Sequence, residues 1–343
     1  MYKKMHIIYN LNGDLIMYDK KMALLYVLDI LKKFSDKNHY LTQKDIIKKL
    51  HDIYLIDIER RTISTNIELL IEYGYDIIKV PSGGYYLNER DFDENEIKYL
   101  IDAIYSSKSI SGSQAKQISK KLYSVLSKYE QKDYSYLYKS TEINRSTNNE
   151  IFLNIELINE AIKDNKKISF LYLAYDENRQ LVEKRDGKRY IASPYFLINN
   201  FNKYYLLCRL WNLQNANYFR IEYIKDIQIL NENIKPYKDI ANMGENFDIT
   251  KHINDHIYMF GGDTINATIE LLDNDVITYV IDWFGNNARL YKDNEKLYAN
   301  IKSNNEAFFY WALQYQEHIK VISPTSMIER IVNTLEENLK KYK

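Results

Sequence analysis

Four short runs rich in Ile, Tyr, Phe and Leu lie between Lys166 and Ile227: KKISFLYLAYD, KRYIASPYFLINN, KYYLLCRLW and NYFRIEYIKDI. In the first, Ile168, Phe170 and Tyr172 alternate with Ser169 and Leu171, the period of a strand that buries one face. Asn, Gly and charged residues separate the runs, so the spacing predicts four consecutive β-strands. Strands this short leave unpaired edges unless the sheet closes on itself or is covered. A small barrel is the economical solution.

The remaining length allows two or three domains, since the chain has 343 residues. Charged residues make up 27% and balance to a net charge of +0, so no global field draws the chain to nucleic acid or membrane. Any nucleic-acid contact must come from a local patch. The lone cysteine, Cys208, cannot form an internal disulfide and suits a reducing compartment. No apolar run approaches the length of a membrane span. The opening MYKKMHIIYNLNGDLIMY lacks the apolar core and cleavage site of a signal peptide. Cytoplasmic residence is the expectation, with no membrane partner.

Residues 1–20 carry apolar runs on either side of Asn12-Gly13, a favoured hairpin dipeptide. A marginal or flexible extension is preferred over an ordered hairpin, because an isolated hairpin is barely stable. Helical periodicity starts at Met22, with Leu24, Leu25, Leu28, Ile30 and Leu31 on one stripe. Thr42 then caps TQKDIIKKL, with Asp45 in the capping-box position. A third helix is predicted from about Ile58 to Tyr73, with Asp57 as N-cap and Gly74 as its stop. Its apolar face is Ile63, Ile67, Leu70 and Ile71. YDIIKVPSGGYYL follows as two strands around Pro81-Ser82-Gly83-Gly84.

Three helices and a hairpin make a winged helix-turn-helix, whose second motif helix enters the major groove. Arg60, Arg61, Ser64 and Thr65 on the helix and Lys79 on the wing are the DNA-contacting candidates, through phosphates or base edges. Residues 20–90 hold roughly twelve Lys/Arg against ten Asp/Glu, a thin surplus. The assignment to double-stranded DNA therefore rests on pattern; the alternative is a surface helix of a protein–protein module.

Two amphipathic helices are predicted over Asp93–Ile110 and Gln114–Tyr129, with Ile97, Leu100, Ile101 and Ile104 on one face. KSTEINRSTNN, residues 139–149, is polar and aperiodic and reads as a linker. Ile151–Lys163 is a short helix leading into the barrel. After the barrel, His252 and His256 stand four apart. On a helix they could share a metal, but no third ligand lies nearby, so no metal is expected. The last third repeats strand, helix, strand, strand, helix, strand before SPTSMIERIVNTLEENLKKY closes as a helix. That order predicts a ferredoxin-like sandwich.

The four blocks ISFLY, SPYFL, YYLLCR and FRIEYI resemble the WYL domain, an Sm-like β-barrel of bacterial transcription regulators. The name-giving Trp-Tyr-Leu corresponds to Tyr204, Tyr205 and Leu206. Asn217 and Tyr223 stand where the family usually has arginines, so part of its basic ligand surface is missing. RRTISTNIELLIEYGYDI with its Gly-rich hairpin resembles the DeoR-type domains that often precede WYL domains, although Thr65-Asn66 replaces a frequent Arg-Asp. The tail resembles the WCX extension that often follows them.

The fold expectation is an α+β multidomain chain in seven segments. These are an extension at 1–20, a winged helix-turn-helix at 21–90 and a helical linker with a dimerisation role at 91–138. A linker follows at 139–149, then a WYL Sm/SH3-like small β-barrel at 150–235. A connecting segment at 236–262 leads to a ferredoxin-like βαββαβ WCX domain at 263–343. The resemblance implies a ligand-responsive regulator whose barrel senses an anionic nucleotide or nucleic acid. Polar residues reachable from the strand faces supply the candidates: Ser169, Tyr172, Tyr205, Arg209 and Arg220. Arginine forks bind phosphate and tyrosine rings stack on bases. The competing account makes Tyr172 and Tyr205 core residues and pairs Arg209 with Glu222 or Asp226. Arg220 is expected to be replaceable without loss of fold.

No nucleophile–base pair, phosphate-binding glycine loop or metal spacing occurs, so no enzymatic activity and no cofactor are expected. A homodimer is expected from the symmetry of DNA half-sites, with its seam on the 93–129 helices. The second functional class is an accessory or adaptor protein, for example in phage defence, that binds single-stranded nucleic acid or a partner protein.

Overall fold

The computed structural model describes residues 8–9, 15–16, 22–131, 148–240 and 243–343. Most of the 139–149 linker and the Asn12-Gly13 turn lie outside them. The chain divides into two compact units, Met1–Arg145 and Ser146–Lys343. Both mix α and β structure.

In the first unit, β1 (Ile8–Tyr9) pairs antiparallel with β2 (Leu15–Ile16). The core is built by α1 (Ala23–Phe34), β3 (Leu41–Thr42), α2 (Gln43–Tyr54), α3 (Arg60–Tyr73), β4 (Ile77–Val80) and β5 (Gly84–Leu87). Ile30, Leu31, Ile46, Leu50, Ile63 and Ile67 are buried together. The Thr42–Asp45 capping box forms as the sequence predicts, each partner satisfying the other's backbone N–H. Two details of α3 differ. It starts at Arg60 with Glu59 as N-cap, because Asp57 accepts a 2.8 Å hydrogen bond from His51 Nδ1 instead of capping. Its buried face is Ile63, Asn66, Ile67 and Leu70, while Ile71 is 46% exposed. One step past a full stripe, Ile71 has rotated off the core face. Gly74 ends the helix at φ +117°, a left-handed conformation that favours glycine. The three strands pair in the order β3-β5-β4.

Helices α4 (Glu94–Ser106) and α5 (Gly112–Tyr123) are shorter than predicted. Capping boxes at Asp93/Glu96 and Ser111/Gln114 set where they begin. Ile97, Ile101, Tyr105, Ala115 and Leu126 form their shared core, so much of the expected dimer seam is spent inside the chain. Arg90 ties this pair to α1. It donates to Lys32 O at 2.8 Å, to Ser35 O and, at 3.4 Å, to Val125 O. The orphaned carbonyls at the end of α1 thus gain a cation. Ser127 Oγ adds a buried 2.8 Å bond to Asp36.

The second unit begins with α6 (Ile151–Lys163) and six strands: β6 (Lys166–Tyr175), β7 (Leu181–Glu183), β8 (Tyr190–Asn200), β9 (Lys203–Leu210), β10 (Asn217–Arg220) and β11 (Ile224–Asn233). The sheet is antiparallel, ordered β10-β9-β8-β6-β11, with β7 added on β6. Its two end strands, β10 and β11, are consecutive and joined by a 3-10 turn of three residues, Ile221–Tyr223. So short a link folds the sheet back on itself, yet β10 and β11 form no ladder among the described residues. The expected barrel is a curled sheet with a covalent seam. Asn154, 1% exposed on α6, donates to Ile224 O at 2.8 Å and helps hold the helix over the seam.

The chain continues through α7 (Ile249–Asp255) to β12 (Thr264–Leu271), α8 (Val276–Phe284), β13 (Ala288–Asp293), β14 (Lys296–Asn304), α9 (Asn305–Gln314), β15 (Ile319–Ser323) and α10 (Thr325–Lys341). The sheet order is β13-β14-β12-β15, antiparallel throughout. Trp311, Phe308, Val276 and Val280 fill its core.

Burial separates two isoleucines of α3. Ile67→Ala should cost roughly 2–5 kcal/mol in urea unfolding, because Ile67 is 1% exposed. Ile71→Ala should change stability by no more than about 0.5 kcal/mol.

Candidate functional site

On α3, Arg60, Arg61 and Thr65 are exposed. Thr65 Oγ1 donates back to Arg61 O at 3.2 Å. Ser64 is half-buried and accepts a 2.6 Å bond from Gln43 Nε2, so its oxygen fixes α3 against the start of α2. Lys79 is exposed on β4, opposite Tyr85. Arg61 and Thr65 share a helical face with Glu68 and Glu72, both exposed. Positive charge is thus confined to the first turn, where the helix dipole also favours an anion.

In the curled sheet, register decides which candidates meet. Arg220 lies directly opposite Tyr205, and Phe219 opposite Leu206. Leu206 and Cys208 are fully buried, and burial pushes the Cys208 thiol well above its ordinary range. Alternation therefore turns Tyr205 and Arg220 to the other face. Arg209 shares that face but lies four residues along β9, roughly 13 Å from Tyr205 at strand rise. Its Nη2 reaches Trp211 O at 3.5 Å, and its buried Nε has no partner among the described residues.

Arg220 is engaged. Its Nε donates to Glu222 Oε1 at 2.8 Å and its Nη2 donates to the same oxygen. Glu222 is 1% exposed, and its second oxygen has no partner among the described residues. Desolvation opposes the Arg220 charge, but the hydrogen bond and charge of Glu222 outweigh it and hold the guanidinium above its usual range. Asp226 is taken by Arg189, 2.6 Å away. The alternative pairing of Arg209 with Glu222 or Asp226 is therefore not what forms. Glu222 sits across one tight turn from Arg220, and Asp226 sits at an irregular point of β11 facing Arg189.

Tyr172 and Ser169 serve the fold. The Tyr172 ring packs edge-on against Phe219 at 5.0 Å, and its hydroxyl accepts from the Arg220 backbone N–H at 3.2 Å. Burial pushes that hydroxyl up to about 12. Ser169 Oγ accepts from Arg189 Nε at 3.1 Å and is buried.

Further rings and cations gather here. Tyr190 stacks on Phe170 at 5.5 Å, with the Arg185 guanidinium 4.8 Å over it. Tyr223 meets Tyr172 at 6.1 Å and Tyr175 at 6.0 Å, with Arg220 4.5 Å over it. With Phe170 and Phe219 buried, the half-buried Tyr190 and Tyr223, each under a guanidinium, are the accessible rings, chemistry suited to stacking bases and binding phosphate. Tyr190 and Arg185 were missed by sequence reasoning. The Asp186-Gly187 dipeptide, a turn signal, was available; in the structure Arg185, Asp186 and Gly187 are all left-handed.

The connecting segment roofs part of the same face. Leu207 and Tyr218 pack with Ile240, Ile253 and Met259. His252 Nε2 bonds the Tyr218 hydroxyl, and the His252 and His256 rings lie 4.1 Å apart. Burial, then the neighbouring His256, brings His252 down to about 4. Among the described residues no group of three or more His, Cys, Asp or Glu could hold a metal, and no helix is long and apolar enough to cross a membrane.

Residues 154–229 match the family model for the WYL domain; the chain contains a WYL domain there. The proteasome accessory factor B/C (PafBC) of Arthrobacter aurescens is similar at 14% identity and a TM-score of 0.29, over 100% of this chain. This chain spans about half of that protein, 52% of its length. A CRISPR Cas-related protein is similar at 16% identity and a TM-score of 0.38, over 96% of this chain and 87% of that one. No curated protein matches the sequence.

Arg220→Ala strands a buried carboxylate and should lower stability by roughly 3–5 kcal/mol. Adding Glu222→Gln should recover most of that loss in urea unfolding, in place of the sequence expectation of an unchanged fold. The His252 site predicts acid sensitivity. Its pKa is lowered in the fold, so between about pH 6.5 and 4 only the unfolded chain takes up the proton. Stability present above pH 6.5 is then lost as the pH falls toward 4, by less than about 3 kcal/mol because the ring is partly exposed and screened by solvent. His252→Gln should lose less stability than the wild type between pH 7 and 4.5; an equal loss would refute the assignment.

Proposed function

We propose that the protein is a non-enzymatic, ligand-responsive transcription regulator acting in the cytoplasm. The observation that carries this reading is the presence in one chain of a WYL domain and a three-helix unit with a β-hairpin beside its third helix. That unit is read as a winged helix-turn-helix whose α3 enters the major groove of operator DNA. The βαββαβ order after residue 263 is read as the ferredoxin-like WCX extension. Two copies act together on palindromic half-sites.

The ligand is a nucleotide or nucleic acid. Support comes from the ring surface bounded by Arg185 over Tyr190 and Arg220 over Tyr223, with Tyr205 opposite Arg220. Glu222 already occupies two N–H groups of Arg220, so an incoming phosphate competes with an internal carboxylate. Together with the residues at Asn217 and Tyr223, this makes the site selective, not broadly anion-binding.

A second reading is favoured by one observation, the acidic Glu68 and Glu72 on the exposed face of α3. An accessory or adaptor protein, as in phage defence, would bind single-stranded nucleic acid or a partner protein and leave α3 free of DNA. A mobility-shift titration decides between them. A sequence-specific, salt-dependent shift with duplex DNA upstream of its own gene supports the regulator. Single-strand binding without duplex binding supports the accessory protein. Within the regulator reading, Arg61→Ala should weaken duplex binding and lower the salt slope by about one. Unchanged affinity in a folded variant would remove α3 from the DNA interface.

A further inference from the structure

Glu222 is held by half of its carboxylate. The side chain is 1% exposed, and its Oε1 accepts from Arg220 Nε at 2.8 Å and from Arg220 Nη2. Its Oε2 is buried and has no hydrogen-bond partner among the described residues. An ionised carboxylate accepts hydrogen bonds and donates none, so part of the desolvation of this oxygen stays uncompensated. A guanidinium binds phosphate through two neighbouring N–H groups. At Arg220 those two groups are the ones Glu222 fills.

The surroundings leave this acid one counter-ion. Arg220 is its ion-pair partner among the described residues. Tyr172 approaches from β6, Tyr205 from β9, and Tyr223 lies on the same turn. Burial first, and the Glu222 charge behind it, raises all three hydroxyls above their ordinary value, so none of them ionises near neutral pH. The buried face of α6 brings Ile151, Asn154, Ile158 and Ala161, which carry no charge. Arg220 itself is 28% exposed on its side chain, open to a ligand from the ring surface.

We propose that Glu222 stands in for the ligand's phosphate, and that a bound phosphodiester displaces it from Arg220 with uptake of one proton by its carboxylate. The phosphate oxygens take the Nε and Nη2 hydrogens of Arg220. Glu222 is then a buried carboxylate without a counter-ion, far costlier than a neutral carboxyl. It accepts a proton from solvent, and the new O–H can donate to the phosphate. Charge balances: one negative charge and one proton enter, and the guanidinium keeps a single counter-ion.

This rests on the reading of the ring surface as a nucleotide or nucleic-acid site, and it makes that site responsive to pH. The complex holds one proton more than the free protein. Affinity therefore rises as the pH falls, approaching about tenfold per pH unit where the uptake is complete. Glu222 thereby acts as an autoinhibitory contact that a weakly bound anion does not displace.

Titration calorimetry of the full chain with a thymidine tetranucleotide lacking terminal phosphates tests it, because neither its phosphodiesters nor its bases titrate between about pH 5 and 8. At about pH 6, in two buffers of different ionisation heat, the wild type should take up close to one proton per ligand. Glu222→Gln keeps an acceptor for Arg220 without the charge. It should bind the probe roughly tenfold or more tightly and take up no proton. His252, bonded to Tyr218 two residues from Arg220, is the control, and His252→Gln should keep the uptake. Wild-type binding without proton uptake, or weaker binding by a folded Glu222→Gln, overturns the displacement and makes Glu222 a fixed support. Uptake that persists in Glu222→Gln and vanishes in His252→Gln overturns it as well. Absence of binding in both the wild type and Glu222→Gln overturns the ligand reading itself. Should Glu222→Gln fail to fold, the uptake by the wild type and by His252→Gln decides.

Discussion

The inward burial of Leu206, Cys208 and Phe219 fixes the register of β9 on β10, and the candidate ligand face follows from it. A slip of one residue would turn every side chain to the opposite face. It would drive Arg220 into the core and bring Phe219 out. With Phe219 set against Leu206, Arg220 must lie opposite Tyr205. The 3-10 turn that starts at Ile221 then carries Glu222 back to the guanidinium. One apolar register thus determines a cation, a ring and an acid. Arg220 is at once a candidate phosphate contact and the counter-ion of a buried carboxylate, so function and stability are coupled at one residue.

Guanidinium groups do much of the structural work in a chain with no net charge. Arg90 satisfies carbonyls at the end of α1, Arg189 joins Asp226 to Ser169, and Arg330 clamps α10 to α9. In each case a planar fork reaches several acceptors at once, which an ammonium cannot do with the same geometry. The cations that stand beside the candidate contacts are local: the first turn of α3, Lys79, and the Arg185 and Arg220 ends of the ring surface.

Apolar surface is distributed with similar selectivity. Much of the stripe expected to join two copies on α4 and α5 is buried between these helices, Ile97 and Ile101 among them, while Leu100 stays exposed. On α10 (Thr325–Lys341), Val332, Leu335 and Leu339 are exposed among the described residues, because they lie where the domain's own sheet does not reach. A helix that packs on one sheet buries one side and leaves the other exposed.

Local pattern determined the order of the elements. Alternation around Ile168–Tyr172, the stripe of α2, the Thr42–Asp45 cap and the Gly74 stop are all set by residues within one turn or one strand of each other. For the same reason the sequence showed which residues of β10 face together. Partners across the sheet were beyond its reach. Glu222 meets Arg220 and leaves Arg209 apart, Asp226 goes to Arg189, and Ser169 is spent on Arg189 as well. The Asp57 carboxylate chose His51 over the start of α3, and Ile71 turned away from the core. Each outcome depends on where a turn places a charged group relative to a neighbour from another element. Short-range periodicity fixes which face a side chain takes, whereas only the assembled sheet and helices fix which opposite charge comes within hydrogen-bond distance.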